Sequence, residues 1–225
     1  MTTAAIILAG GSGSRMGPGP NKPYRTAADR PLLWYSITAF QLAGVDHLVV
    51  VVRPEDADSV PAGTQQVTGG RTRTDSEQAG LAALEDAEVE IVMIHDAARP
   101  FVTPALIQRL RTAAAARGGA VPVLDPPVPL WRRSGDILLR APEGVVRVQT
   151  PQAFRSGPLR TAYQQAAGAD AVGADTAEIM ERFGDVDVLA VEGDPLAFKI
   201  TYDEDLARVE AAARLWAAIV QPPNL

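Results

Sequence analysis

Short apolar runs rich in β-branched residues recur along the chain, and they predict strands. The runs cover residues 4–9, 47–52, 90–95 and 119–124. Continuous apolar runs of this length are typical of strands that are buried on both faces of a parallel sheet. The sequence therefore predicts a central, mostly parallel sheet.

Helical periodicity fills the intervals between these runs. Apolar residues spaced four and three apart between Leu33 and Phe40 predict one helix. Thr103-Pro104 pairs an N-cap residue with proline at the first helical position, and so predicts the start of another. A last helix begins near Asp203 and carries one apolar stripe: Leu206, Val209, Ala213, Trp216 and Val220. Because strands and helices alternate, we predict an α/β fold with helices on both faces of the sheet.

The stretch from 125 to 148 breaks this alternation and predicts a β-hairpin arm inserted into a single domain of residues 1–225. Three prolines between Pro126 and Pro129 exclude a helix at its start. Ser134-Gly135-Asp136 is a turn signal between two extended segments. The hairpin carries Trp131 and the apolar residues 137–139, and a free-standing hairpin is marginally stable. We therefore predict that it packs on a second subunit in a homodimer; the alternative is that it folds back onto its own domain.

Composition narrows the chemistry that this fold can perform. The 225 residues include no cysteine and two histidines, which excludes a disulfide scaffold, an iron–sulfur cluster, a thiol nucleophile and a histidine-rich metal centre. The net charge of −6 argues against general nucleic-acid binding, although local basic clusters can oppose it. The apolar runs are far shorter than a membrane span, and we expect no cleaved signal. We therefore expect a cytoplasmic protein with no nucleic-acid or membrane partner.

A glycine-rich loop follows the first predicted strand. Residues 10–17 contain four glycines, Arg15 lies inside the loop and Lys22 follows it. Backbone N–H groups of such a loop can approach an anion closely, and two cations beside it suit a triphosphate. The glycine spacing differs from the dinucleotide fingerprint, and the Lys-Ser or Lys-Thr of a P-loop is missing. The alternative is a tight turn followed by two solvated cations.

Four further segments combine with this loop into a specific pattern. They are G-G-x-x-R-x-[DE]-S at 69–76, H-D-A-A-R-P at 95–100, Q-T-P-Q-x-F at 149–154 and K-[IV]-T at 199–201. With L-A-G-G-x-G-x-R-M-G at 8–17 and Lys22, they resemble the 2-C-methyl-D-erythritol 4-phosphate cytidylyltransferase (IspD) family, nucleotidyltransferases with a Rossmann-like fold. The resemblance spans nearly the whole chain, in order.

The resemblance implies transfer of a cytidylyl group from CTP to 2-C-methyl-D-erythritol 4-phosphate, with release of pyrophosphate and one Mg²⁺ ion held by Asp96. The catalytic residues that it implies are Arg15, Lys22 and Lys199. The nucleotide-binding residues that it implies are Ala9, Gly10, Gly11, Gly13, Arg15, Lys22, Gly70, Arg73, Ser76 and Asp96. The acceptor-binding residues that it implies are Lys199, Arg140 and Asp175. Because the attacking phosphate has a pKa of about 6, this chemistry needs no histidine or cysteine base.

Position in the predicted fold supports part of this site. Asp96 follows a buried strand, and open α/β sheets bind their ligands at the carboxyl ends of strands. It is therefore placed to meet magnesium or the ribose; the alternative is a helix N-cap, a role that Thr103 fills better. His95 lies within the strand and is predicted to be structural. Residues 69–76 form a loop that enters a helix and can select cytosine, or can simply cap that helix.

On the acceptor side the chain departs from the family pattern. The family has Asp-Thr-x-Lys at the start of the arm, where this chain has Asp125-Pro126. The position of the family's arm arginine falls at Pro142 or its neighbour, and the usual Thr-Asp is Ala174-Asp175. Arg140 can substitute only through a shift of register, so either Arg132, Arg133 or Arg140 binds the acceptor phosphate or the acceptor is a different one. A site that binds hydroxyls by hydrogen bonds weakens when the partners are missing. Three alternatives follow: another acceptor, such as ribitol 5-phosphate or a phosphonate; a CTP-binding scaffold without turnover; and a guanylyltransferase of the molybdenum-cofactor kind, which the H-D-A-A-R-P segment argues against.

Overall fold

The computed structural model describes residues 1–11 and 21–221, and these residues form strands and helices in alternation. The strands are β1 Thr3–Leu8, β2 Thr26–Ala27, β3 Arg30–Pro31, β4 His47–Val52, β5 Gln65–Thr68, β6 Ile91–Asp96, β7 Gly118–Leu124, β8 Trp131–Ser134, β9 Ile137–Arg140, β10 Arg147–Val148, β11 Gln152–Arg155 and β12 Asp187–Glu192. The α-helices are α1 Leu32–Leu42, α2 Arg73–Ala82, α3 Pro104–Arg117, α4 Ser156–Gly168, α5 Thr176–Phe183 and α6 Leu206–Val220. Short 3₁₀ helices cover Lys22–Tyr24, Pro54–Ser59, Pro195–Ala197 and Asp203–Asp205.

One eight-stranded mixed sheet forms the centre, in the order β10-β7-β11-β6-β1-β4-β5, with β12 also paired to β7. β1 runs parallel to β4 and β6, β4 runs parallel to β5, and β12 runs parallel to β7. β11 is antiparallel to both β6 and β7, and β10 is antiparallel to β7. The predicted mostly parallel sheet is therefore confirmed, with β10 and β11 as the two strands of opposite direction.

Both faces of the sheet are buried, which explains the continuous apolar runs. Along β1, Ala5 and Ile7 face the layer formed by α1, α3 and α6, whereas Ala4 and Ile6 face the layer formed by α2, α4 and α5. Successive side chains of a strand point to opposite faces, so both must be apolar when both faces are covered. Trp216 of α6 is fully buried, and its indole N–H donates to the Val102 carbonyl at 2.7 Å.

The predicted helix ends follow their capping residues. Thr103 accepts a hydrogen bond from the backbone N–H of Leu106, and α3 begins at Pro104 as predicted. α3 ends at Arg117 and Gly118 caps it, with a φ of +100° that favours glycine. The last α-helix begins at Leu206, because residues 203–205 form a 3₁₀ turn before it. None of the helices in the described ranges is long and apolar enough to cross a membrane.

The predicted hairpin is present as a separate two-stranded sheet of β8 and β9. Gly135 makes its turn with a φ of +60°. All eight strand residues are exposed, and Trp131, Ile137 and Leu138 each expose more than 60% of their surface. The hairpin therefore does not fold back onto its own domain, which was the alternative to dimerisation.

Candidate active site

A cleft of about 530 Å³ lies at the edge of the sheet where β1, β4 and β6 end. These three strands are parallel neighbours, so their carboxyl ends meet there. The described residues that line it come from these strand ends and from three later loops: Leu8, Gly10, Gly11, Lys22, Pro23, Arg53, Gly70, Arg71, Thr72, Arg73, Ser76, Asp96, Ala98 and Lys199. Six segments that are distant in sequence are thus brought to one site.

The cleft is strongly basic although the chain is acidic. Its described lining contains five cationic side chains and one carboxylate, whereas the whole chain has a net charge of −6. The chain has only two lysines, Lys22 and Lys199, among 21 basic residues, and both lie in this cleft. A concentration of positive charge with one carboxylate suits a polyphosphate ligand better than a neutral one.

Asp96, at the end of β6, organises the cations around it. Its carboxylate accepts from Lys199 Nζ at 2.8 Å and from Arg73 Nη2 at 3.2 Å, and Arg99 Nε lies 4.0 Å away. Burial alone would raise the pKa of the Asp96 carboxyl, but Arg73 and Lys199 together hold it well below its ordinary value. Asp96 is therefore ionised at neutral pH and holds two cations in the cleft.

A hydrogen-bond chain behind Asp96 fixes its backbone. The Asp96 N–H donates to Thr150 Oγ1 at 3.0 Å, and Thr150 Oγ1 lies 3.1 Å from His95 Nδ1. His95 Nε2 lies 3.1 Å from the Arg99 carbonyl, which can only accept. Nε2 therefore carries the proton, and Nδ1 accepts from Thr150. Burial lowers the pKa of His95 to about 4, so this histidine is neutral and structural, as predicted.

The Q-T-P-Q segment joins three parts of the site. Gln149 donates from Nε2 to the Asp194 carbonyl at 2.8 Å and accepts from the Asp194 N–H at 2.9 Å, which fixes the segment that leads to Lys199. Thr150 holds Asp96. Gln152 donates to Asp175 Oδ2 at 2.9 Å, beside the start of α5. All three polar side chains of the segment are buried. The segment needs buried polar residues because each of them makes hydrogen bonds to the backbone or side chain of a different loop.

Backbone alternation directs the second lysine into the cleft. Ile200 is fully buried and its N–H donates to the Ala98 carbonyl at 2.8 Å. In an extended segment the neighbours of a buried residue point the other way, so Lys199 faces the cleft. Lys22 Nζ donates to the Thr201 carbonyl at 3.0 Å, which brings the two lysines to the same segment.

The loop before α2 forms another wall. Thr72 caps the helix, with its Oγ1 accepting from the Asp75 N–H at 3.0 Å and its own N–H donating to Asp75 Oδ2 at 2.9 Å. A side chain at Gly70 would collide with Asp75, since a Cβ there would lie 2.2 Å from the Asp75 Cβ. The Gly70 N–H donates to Ser76 Oγ at 3.2 Å. Thr72 and Asp75 therefore do the capping, and the cap leaves Arg73 and Ser76 at the cleft.

Comparison with known proteins shows which family the chain belongs to. The family model of IspD, 2-C-methyl-D-erythritol 4-phosphate cytidylyltransferase, matches residues 3–214. The chain belongs to this family. The 2-C-methyl-D-erythritol 4-phosphate cytidylyltransferase of Cereibacter sphaeroides is 37% identical over 229 residues, which cover 97% of this chain and 100% of that protein.

Other relatives and solved structures agree with this assignment. The bifunctional enzyme IspD/IspF of Dinoroseobacter shibae is 40% identical over 215 residues, which cover 92% of this chain and 52% of that enzyme. This chain thus spans about half the length of the bifunctional relative. The crystal structure of the Thermus thermophilus 2-C-methyl-D-erythritol 4-phosphate cytidylyltransferase matches with a TM-score of 0.81 at 34% identity, covering 95% of this chain and all of that one. The predicted family and its Rossmann-like α/β fold are therefore confirmed.

The structure brings together most of the residues that the IspD resemblance implied. Eight of them line the cleft: Gly10, Gly11, Lys22, Gly70, Arg73, Ser76, Asp96 and Lys199. Ala9 is buried next to it, with its N–H donating to the Val51 carbonyl at 2.8 Å. Gly13 and Arg15 lie outside the described residues, and their roles stay predictions.

Two predicted acceptor-binding residues do not line the cleft. Asp175 caps α5 by accepting from the Glu178 N–H at 2.9 Å, and its other oxygen accepts from Gln152. Arg140 lies on the exposed arm, where it pairs with Glu143 at 3.1 Å and lines a separate cavity of the arm. Within one chain the structure therefore gives Asp175 a capping role and leaves Arg140 away from the cleft.

Two cations and one carboxylate in or beside the cleft were not among the site residues predicted from the sequence. Arg53 follows β4 at the same sheet edge as Asp96, so the argument that located Asp96 also applies to it. Arg71 lies within the G-G-x-x-R segment but outside its fixed positions. Glu77 carries no motif signal, and only the fold shows that it contacts Arg73.

Proposed function

We propose that this chain transfers the cytidylyl group of CTP to 2-C-methyl-D-erythritol 4-phosphate and releases pyrophosphate, as its family name describes. The observation that carries this proposal is the basic cleft at the carboxyl ends of β1, β4 and β6, with both lysines of the chain in it. Two polyanionic substrates must be aligned in such a reaction. The cations of the cleft supply the positive charge for this, although the chain as a whole is acidic.

The chemistry follows from the charges of the cleft. An acceptor phosphate oxygen attacks the α-phosphorus of CTP, a P–O bond forms, and the bond to the bridging oxygen breaks so that pyrophosphate leaves. The attacking phosphate is already ionised near neutral pH, which agrees with a neutral, buried His95. Lys22 and Lys199 stabilise the charge that gathers on the α-phosphate and the leaving group. Arg15 of the glycine loop is proposed to join them.

Nucleotide contacts are assigned to the opposite wall of the cleft. Gly70, Arg73 and Ser76 are proposed to contact the cytosine base, because the loop and helix start present fixed donors and acceptors there. The backbone of Gly10 and Gly11 is proposed to complete this pocket. Arg73 already donates to Asp96, so the base side and the ribose side of the pocket are held in one arrangement.

The chemistry of the cleft fits a magnesium ion that is bound largely through the nucleotide. No cluster of three acidic, histidine or cysteine residues that suits a metal occurs among residues 1–11 and 21–221. Mg²⁺ is commonly bound through one or two carboxylates together with phosphates and water, and Asp96 offers such a carboxylate. When bound, Mg²⁺ would neutralise phosphate charge. We therefore propose Asp96 as the protein ligand of Mg²⁺.

An assay of pyrophosphate release tests the proposed function. Each of CTP, ATP, GTP and UTP is combined with 2-C-methyl-D-erythritol 4-phosphate, ribitol 5-phosphate or a phosphonate, with Mg²⁺ present. We expect turnover with CTP and 2-C-methyl-D-erythritol 4-phosphate and at least about a hundredfold less with other pairs, since a site built for specific hydrogen bonds rejects mismatched partners strongly. Turnover with another acceptor would correct the substrate, and turnover with none would favour a CTP-binding scaffold.

We further infer that the arm, residues 125–148, forms a homodimer. Trp131, Ile137 and Leu138 expose 61%, 66% and 63% of their surface on one small hairpin. Exposed apolar clusters of this kind mark interaction sites. A second copy is the proposed partner, because Arg140 on the same hairpin can serve as an acceptor ligand only if it reaches another cleft. A cytoplasmic location and the lack of nucleic-acid and membrane partners stay part of the proposal.

Replacing Ile137 with aspartate is expected to convert the dimer to a monomer. The charge would be buried at the proposed interface, and burying an unpaired carboxylate is strongly unfavourable. Sedimentation equilibrium measures the mass, and circular dichroism checks the fold. Ile219→Asp is a matched control, because Ile219 on α6 is similarly exposed at 57% but lies outside the arm. A monomeric wild type, or an Ile137→Asp variant that stays dimeric, would contradict the inference.

A further inference from the structure

Glu77, on α2, is a buried charge that the proposed reaction does not use. It is 1% exposed, and within the part of the chain that the structure describes it is the one buried glutamate or aspartate side chain. Taking a carboxylate out of water is costly unless donors surround it. The reason for a carboxylate at this position must therefore lie in its contacts.

Three donors from three helices surround Glu77. Arg73, one turn earlier on α2, donates from Nη1. Tyr163 of α4 donates from its hydroxyl, and Thr176 at the start of α5 donates from Oγ1 at 2.7 Å. The pKa of Glu77 is raised, because burial outweighs the opposing charge of Arg73 and the hydrogen bonds from the two hydroxyls. The carboxylate is thus fully satisfied, and it joins three elements that are distant in sequence.

The Arg73 side chain connects Glu77 to the cleft. Its Nη1 is bonded to Glu77 while its Nη2 donates to Asp96 Oδ1 at 3.2 Å. A guanidinium is planar and rigid, so fixing one of its nitrogens also fixes the direction of the other. Glu77 therefore sets the orientation in which Arg73 meets Asp96 and the nucleotide side of the cleft.

The same carboxylate also fastens the turn that carries Asp175. Thr176 donates to Glu77 on one side of Asp175, and the Gly173 N–H donates to Thr74 Oγ1 at 3.1 Å on the other side. Asp175 in turn accepts from Gln152, which belongs to the Q-T-P-Q segment. Because Thr150 of that segment holds the Asp96 backbone, the contacts form a closed ring through Asp96 and Arg73 back to Glu77.

A purely stabilising role does not account for Glu77. Even where it is exposed, an Arg–Glu pair four residues apart on a helix contributes little to stability. At a buried position an apolar residue of similar volume is often as stable as an ion pair or more so. The carboxylate is needed if its task is to direct Arg73, since an apolar residue cannot do that.

We propose that Glu77 is a positioning residue that orients Arg73 toward Asp96 and links the nucleotide wall of the cleft to the Asp175 turn. This proposal rests on the proposed cytidylyltransferase function. It assigns to a residue outside every motif of the chain a part in binding CTP and in the alignment of the second substrate.

Glu77→Gln tests the proposal with little change of shape. The amide oxygen can still accept from one donor, but the charge that holds Arg73 is removed. We expect kcat/KM for CTP to fall about tenfold to a hundredfold, the range for a lost hydrogen bond to a charged group, with a raised KM for both substrates. A structural role alone would reduce the folded fraction and so lower kcat at unchanged KM. Glu210→Gln on α6, which removes a surface carboxylate paired with Arg214, is the control.

A double-mutant cycle with Arg73→Gln shows whether Glu77 acts through Arg73. If it does, the double variant is about as slow as Arg73→Gln alone; independent roles would multiply the two losses. Tyr163→Phe removes one donor from the carboxylate without removing its charge, and a loss of about threefold is expected, so the proposal stays testable if Glu77→Gln does not fold. An active wild type with unchanged Glu77→Gln kinetics, or multiplicative losses, would overturn the Glu77 role alone. An inactive wild type would overturn the proposed function and this role with it.

Discussion

Replacing Lys22 with alanine is expected to lower kcat by about a hundredfold to a thousandfold, the range measured for the loss of one preorganised donor in an active site. Lys22 Nζ lies in the cleft, where it donates to the Thr201 carbonyl at 3.0 Å. That carbonyl belongs to a half-exposed residue, so water can replace the ammonium in the resting protein. In the transition state nothing replaces the lost charge. Steady-state pyrophosphate release and thermal unfolding together measure this, and unfolding is expected to change little.

Controls for this prediction use the scarcity of lysine. Arg214→Ala removes a cation that is 76% exposed on α6, and it is expected to leave turnover unchanged. Reagents specific for primary amines can modify only Lys22, Lys199 and the N-terminus, so mass spectrometry can report directly whether CTP protects the cleft. Arg15→Ala is expected to act like Lys22→Ala. Near-normal turnover of Lys22→Ala would contradict the assignment of this cation to catalysis.

The sheet was predictable where both faces of a strand are covered. β4 begins and ends at the same residues as the predicted run 47–52, because the buried part of such a strand is apolar and the charged residues Asp46 and Arg53 flank it. β11, at Gln152–Arg155, was not predicted, since four residues with polar ends give no periodic signal. β12 is an exposed strand beside β7, and its apolar run of four was too short to separate from a loop.

The sequence predicts those residues of the candidate site that lie within the family motifs. Asp96 and Lys199 carry family signals, and the structure places them 2.8 Å apart although 103 residues separate them. The partners that orient them carry no comparable signal. Glu77 contacts Thr176 across 99 residues, and Thr150 holds Asp96 across 54. Such contacts depend on tertiary packing, so sequence patterns show which residues do chemistry more readily than which residues hold them in place.

Replacing Asp96 with asparagine is expected to reduce both activity and stability. One carboxylate faces Arg73, Lys199 and Arg99, and an amide group in its place turns a donor toward one of these cations. Removing one partner of a fully buried ion pair costs about 3–5 kcal/mol, and we expect about 2–3 kcal/mol here because Lys199 is 46% exposed. Turnover is expected to fall at least about a hundredfold, since Arg73 and Lys199 lose the group that positions them.

The pH dependence of this loss distinguishes a charge effect from a packing effect. The neighbouring cations hold the pKa of Asp96 below its ordinary value, so its stabilisation is complete above the unfolded pKa of about 3.9 and is lost as the pH falls through the folded pKa. His95, neutral in the fold with a pKa of about 4, lowers the stability of both proteins alike as the pH falls from about 6.5 to 5. Urea unfolding should therefore show the same difference in the free energy of unfolding between wild type and Asp96→Asn at pH 7 and pH 5. Below pH 4 this difference should become smaller. Asp136→Asn, at the fully exposed tip of the arm, should have the same free energy of unfolding as wild type at each of these pH values. A difference for Asp96→Asn that is unchanged by acid would mean that packing, not charge, makes Asp96 necessary.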